Sequence, residues 1–210
     1  MAGRMDELNL IVAGVGGQGS VLASHIVAEA AVSEGLRVRV GETFGAAQRG
    51  GKVHSHVRIG EDVHGPLCPR GSLDALVGLE PNEALRLALE YSRPESIIIT
   101  NTRPVPSMDA NIGADTYRGI EVITKALGRL SKTVIAFDAT ELAYEAGNER
   151  TMNVVVLGAL AATGLLPYSE GGLRDAIRRR VPSRTIEVNM RAFDLGLERG
   201  GEILEKCKSP

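Results

Sequence analysis

Three stretches of this 210-residue chain put chemically useful groups at suggestive spacing. The first is Gly14-Val15-Gly16-Gly17-Gln18-Gly19. It fits G-x-G-x-x-G and falls where that pattern has mechanical meaning, after an apolar run and at the start of a helical one. Gly14 would allow a tight turn, Gly16 a close backbone approach and Gly19 close helix–strand contact. The helix N-terminus then offers free N–H groups to a phosphate. Glu42 closes a second strand near where a ribose-binding acid belongs. That is the case for an NAD-binding Rossmann domain or an NAD-dependent dehydrogenase. Against it, a β–α turn needs glycines with or without a ligand, and no paired His and carboxylate follows to serve hydride transfer.

The second stretch, Gly45-Ala46-Ala47-Gln48-Arg49-Gly50-Gly51, sets a fixed cation on flexible backbone that can approach a partner closely. Its bland alternative is a solvated arginine. The third, Val53-His54-Ser55-His56-Val57-Arg58-Ile59, alternates as a strand does, so His54, His56 and Arg58 share one face. Two such histidines could ligate a metal, but no third ligand stands at useful spacing and the arginine disfavours a cation. A polar strand face beneath a loop or partner is the better reading. Arg178-Arg179-Arg180 complements a helix C-terminus and is expected to be solvated. Asn153 and Asn189 interrupt helical patterns and are expected to hydrogen-bond a neighbouring element. Nucleophile elbow, Walker lysine and metalloprotease helix are all missing.

Composition removes several classes. Aromatic residues make up only 3% of the chain, with no Trp, so ring platforms for stacking nucleic-acid bases are lacking. A net charge of −2 gives no general pull toward nucleic acid or anionic membrane. The longest apolar stretch, Val154 to Leu166, falls short of the roughly 20 residues a membrane span needs. Cys68 and Cys207 are too few for a four-cysteine cluster and show no disulfide framework, which fits a reducing cytoplasm.

Elements must position these groups. Strands are expected at Leu8–Ala13, Leu36–Glu42, Val53–Ile59, Asp74–Leu79, Ser96–Thr100 and Thr133–Phe137, interleaved with helices at Gln18–Glu34, Pro81–Tyr91 and Tyr117–Leu130. After Asp138 only helices follow, at Glu141–Gly147, Thr151–Thr163, Glu170–Arg180 and Thr185–Gly200. The pattern implies one α/β domain over residues 1–210. Its sheet is Rossmann-like and mostly parallel, with helices on both faces and a helical C-terminal third.

Read together, Gly14 to Gly19, Ala47-Gln48-Arg49-Gly50-Gly51 leading to Val57-Arg58-Ile59-Gly60, Phe137-Asp138-Ala139-Thr140, Asn153 to Leu160 and Asn189-Met190-Arg191-Ala192-Phe193 resemble, in order, the γ-type subunit family of 2-oxoacid:ferredoxin oxidoreductases. Gln48 before Arg49-Gly50-Gly51 and the free-standing length look most like the indolepyruvate branch. The resemblance implies oxidative decarboxylation of a 2-oxoacid to an acyl-CoA, with electrons passed to ferredoxin. Thiamine diphosphate and iron–sulfur clusters then belong to a larger partner subunit, and this chain binds no cofactor alone and is inactive alone. Gly14, Gly16, Gly17, Gln18, Gly19, Gln48, Arg49, Gly50 and Gly51 become candidates for facing coenzyme A or the partner. A ligand-free interaction module stays open beside this reading. An isolated chain, its partner-facing apolar surface uncovered, has reason to form a homodimer.

Overall fold

The structure, a computed structural model, describes residues 7–44, 51–105 and 117–208. Its elements in chain order are β1 (Leu8–Val15), α1 (Ser20–Ser33), β2 (Val38–Phe44), β3 (Lys52–Ile59), β4 (Ala75–Gly78), α2 (Pro81–Tyr91), β5 (Ile97–Asn101), α3 (Ile120–Leu130), β6 (Thr133–Phe137), α4 (Ala139–Ala146), α5 (Met152–Ala162), α6 (Glu170–Arg180) and α7 (Ile186–Lys208). The strands form one sheet in the order β2-β3-β1-β4-β5-β6.

β1 is apolar on both sides and all eight of its residues are buried, as a central strand covered on two faces requires. Leu8, Leu10 and Val12 enter a core shared with α1, α4, α5, α6 and α7. Ile11 and Ala13 enter a smaller one beneath α2 and α3. β1 pairs parallel with β4, β4 with β5 and β5 with β6. The Rossmann-like frame read from the sequence is therefore present, with one departure. β3 lies antiparallel between β1 and β2. The seven residues from Gly45 to Gly51 are too few for a parallel crossover, which takes a dozen or more, so an antiparallel return is what their number allows.

The C-terminal third is helical, as expected. α5 is apolar all round, with Met152 through Leu160 buried, so it must be covered on every side. α7 supplies that cover and crosses very close. A β-carbon at Gly196 would stand 1.9 Å from the Val155 carbonyl oxygen, and one at Gly158 2.2 Å from that of Phe193. The Arg178–Arg180 run is not simply solvated. Arg178 pairs with Asp175 at 2.7 Å, while Arg179 and Arg180 both reach Glu29 on α1 and hold its carboxyl below its usual range. The run therefore ties α6 to α1.

Candidate functional site

The chain leaves β1 toward α1 on one face and β4 toward α2 on the other, so β1 and β4 flank a topological switch point. Ligands of open α/β sheets bind outside the carboxyl ends of strands at such points. The glycine turn stands there. The Gln18 side chain accepts from the Val15 N–H at 2.7 Å and donates to the Leu79 carbonyl at 3.2 Å, bridging the ends of β1 and β4. A β-carbon at Gly14 would meet Gln18 Oε1 at 2.8 Å, so the clasp needs that glycine. The Gly16 N–H donates to the Gly51 carbonyl at 2.8 Å, joining the first glycine stretch to the end of the second. Gly19 caps α1 at φ +81°, a left-handed backbone that favours glycine. Its neighbour is Asn153 of α5, whose Nδ2 would lie 2.6 Å from a β-carbon there and donates to the Gly19 carbonyl at 3.3 Å. The close contact expected at Gly19 is thus with a helix, and Asn153 bonds a neighbouring element as read. Asn189 instead donates to the Thr185 carbonyl one turn back, at 2.7 Å.

This geometry departs from the dinucleotide-binding pattern. Val15 and Gly16 have their N–H groups satisfied within the protein, and β3 separates β2 from β1. Glu42, cast as the ribose acid, is held by His25 of α1 at 2.7 Å.

Beside the turn opens a cleft of about 630 Å³ lined by Gly17, Gln18, Gly19, Leu22, Val105 and Arg150, with Met152 and Asn153 behind them. The N-terminus of α1 reaches it without a side-chain cap, whereas at the start of α5 the Met152 N–H donates to the Glu149 carbonyl and the Val154 N–H to Asn153 Oδ1. The Arg150 guanidinium has no ion-pair partner among the described residues. The one carboxylate in the lining among the described residues, Glu149, accepts from the Tyr144 hydroxyl. The uncapped N-terminus of α1 and a cation beside Leu22, Val105 and Met152 suit an anionic group carried on a partly apolar chain. Of the sequence candidates, Gly17, Gln18 and Gly19 line the cleft, while Gly14, Gly16 and Gly51 hold the turn. Gln48, Arg49 and Gly50 lie outside the described residues.

Sequence reasoning missed the hub that fixes this edge. Asn101, fully buried at the end of β5, donates to the Leu79 carbonyl and to Thr140 Oγ1, and accepts from the Ala139 N–H at 3.0 Å and the Arg103 N–H. It joins β4, β5 and α4. Its only signal was a polar residue ending a β-branched run. Glu80 is equally hidden. It caps α2 by accepting from the Glu83 N–H at 2.9 Å, and Tyr117 donates to its other oxygen. Burial pushes its carboxyl above the usual range.

The histidine strand face is covered as a polar face beneath a loop should be. His56 is buried, accepts from the Cys68 N–H at 3.2 Å and meets the rings of His54 and Tyr91 edge-on. Burial holds His54 down to about 4 and lowers His56 as well. No group of three or more His, Cys, Asp or Glu side chains among the described residues could hold a metal ion. The thiols do not fit a cluster either. Cys68 is buried, with its thiol pushed up to about 12, and Cys207 is exposed on α7. No helix among the described residues is long and apolar enough to cross a membrane.

The model of the pyruvate ferredoxin/flavodoxin oxidoreductase family matches residues 9–199, and the chain belongs to that family as a subunit of 2-oxoacid:ferredoxin oxidoreduction. More particularly, it is 43% identical over 201 residues to the indolepyruvate oxidoreductase subunit IorB of Thermococcus kodakarensis, spanning 95% of this chain and 99% of that one. The crystal structure of the keto/oxoacid ferredoxin oxidoreductase gamma subunit from Geobacter sulfurreducens matches with a TM-score of 0.67 at 26% identity, over 92% of this chain and 98% of the other. The fold alone is shared with the 2-oxoglutarate:ferredoxin oxidoreductase from Magnetococcus marinus, determined with 2-oxoglutarate, coenzyme A and succinyl-CoA bound. That match has a TM-score of 0.69 at 21% identity and covers 94% of this chain but 31% of the other.

Proposed function

We propose that this chain, as one γ-type unit over residues 1–210, is the small, cofactor-free subunit of a cytoplasmic oxidoreductase that converts indolepyruvate or a similar aryl pyruvate to its acyl-CoA. In that reaction the 2-oxoacid and coenzyme A give the thioester, carbon dioxide, a proton and two electrons, which pass to ferredoxin. A larger partner subunit supplies thiamine diphosphate and the iron–sulfur clusters, for which two cysteines in unlike surroundings are no substitute. The observation carrying this reading is the 43% identity to an indolepyruvate oxidoreductase subunit across nearly the whole of both chains.

The glycine turn faces coenzyme A or the partner, and the cleft beside it is the part of the chain best suited to the diphosphate. N–H groups at the start of α1 point the right partial charge at it, Arg150 adds a full one, and Arg49 follows the turn in the sequence. Leu22 and Val105 offer apolar contact to the chain beyond. The test is calorimetric titration of coenzyme A into the assembled complex, wild type against Arg150→Ala and Arg49→Ala. Loss of one charge-assisted contact should weaken binding about tenfold. Unchanged affinity in both variants would remove coenzyme A from this edge, leaving it to the partner alone.

A further inference from the structure

The molecule neutralises most of its arginines internally. Arg58 is paired with Glu7, Arg86 with Glu83, Arg93 with Asp74, Arg103 with Asp138 and Arg174 with Glu170. The outer face of α3 does the opposite. Val122, Lys125 and Arg129 follow one another at helical spacing on its exposed side, and Arg118 and Lys132 extend the line beyond either end. None of the four cations has an ion-pair partner among the described residues. Inside this line Val122 is 60% exposed, and Leu89 on neighbouring α2 is 68% exposed. Between the two helices runs a groove of about 280 Å³, its apolar walls formed by Leu85, Leu89 and Ala126 and its rim including Arg86 and Arg118. Helix-dipole compensation accounts for Arg129 and Lys132 near the C-terminus of α3. It does not account for Arg118 at the opposite end, nor for two large apolar side chains left in water at the centre.

We propose that the α2–α3 face is a docking surface, on which an acidic, apolar-centred segment of the larger partner subunit seats against Leu89 and Val122 and neutralises Arg118, Lys125, Arg129 and Lys132. The inference rests on the subunit role proposed above. Glu121 is an exposed carboxylate within this stripe, so among the described residues the face carries four cations to its one anion. An apolar centre rimmed by net positive charge is the anatomy of a protein interface and favours an acidic partner. The choice of the larger subunit follows from the Magnetococcus match, where this fold is 31% of one chain and so has further parts of the same polypeptide as neighbours.

The experiment is a titration of the purified larger subunit with this chain at low and high salt. It compares wild type, Lys125→Glu/Arg129→Glu, and a control with the same change in net charge, Arg184→Glu/Lys206→Glu, whose exposed cations lie on the far side of the sequence in and before α7. The α3 variant should bind about tenfold or more weakly at low salt, with the gap closing as salt rises, and the control should match wild type. Val122→Gln/Leu89→Gln, which leaves charge unchanged, should weaken assembly at both salt concentrations and gives the reading if the reversed variant misfolds by circular dichroism. Equal affinity of wild type and both α3-face variants would overturn the proposal, as would an equal loss in the control. If the α3 variant loses retention on heparin while assembly is unchanged, the stripe serves a polyanion and the proposal fails. A wild-type chain that binds no larger subunit at all would instead overturn the subunit role itself.

Discussion

The two faces of the sheet are built to different depths. On the α1 side, α5 is buried between the strands and α7, and backbone meets backbone through Gly158 and Gly196. On the α2 side, among the described residues, α2 and α3 cover the sheet, and Leu89 and Val122 are exposed. The difference separates two jobs. The deep face holds the fold together through contacts that tolerate no added atom, whereas the shallow face keeps a surface that can be given to another protein.

The same substitution should therefore have opposite signs on the two sides. Gly196→Ala drives a methyl group into the Val155 carbonyl and should cost about 3 kcal/mol, read as a lowered denaturation midpoint with an unchanged slope. Next in size is the seam between the faces. Asn101→Ala leaves the buried Ala139 N–H without its acceptor and takes one of two side-chain donors from the Leu79 carbonyl, and should cost about 2 kcal/mol by the same measurement.

A further effect belongs to the shallow side and depends on pH, absent at neutral pH and growing only as pH falls. Burial, assisted by neighbouring His56, keeps His54 neutral down to about 4, whereas an unfolded chain takes up that proton from its ordinary 6.5. Between those values the unfolded state binds more protons, so stability is full above pH 6.5 and falls as pH drops toward 4. His54→Gln should flatten the stability profile in that window by up to about one proton. Last, Gly128 on α3 has nothing within 4 Å of a would-be β-carbon, so Gly128→Ala should stabilise by roughly 0.5–1 kcal/mol through helix propensity. A loss at Gly128 comparable to that at Gly196 would erase the distinction between the faces.

Much of the fold was legible because burial writes itself into periodicity. The continuous apolar run of β1, the alternation of β3 and the all-apolar α5 each name an element and its surroundings. The direction of β3 was not read, although the Gly45–Gly51 connection is too short for a parallel crossover. What could not be read were contacts made by distance rather than pattern. Gly196 and Gly200 look in the sequence like helix breakers, and only the approach of α5 turns them into a requirement. Asn101 and Glu80 carry ordinary polar side chains, and their roles come from carbonyls and N–H groups on elements far along the chain. At the candidate site, the glycine turn was visible in the sequence. Arg150 was not, because a lone arginine before an apolar helix has no pattern to distinguish it until the cleft is assembled.

The contrast between the thiols has a practical use. A maleimide dye needs an accessible sulfur, which Cys207 offers at the end of α7, whereas Cys68 is buried and its thiol is pushed up to about 12. The natural sequence thus accepts a single fluorophore at a known place, giving a ready-made beacon for following how this protein joins its neighbours.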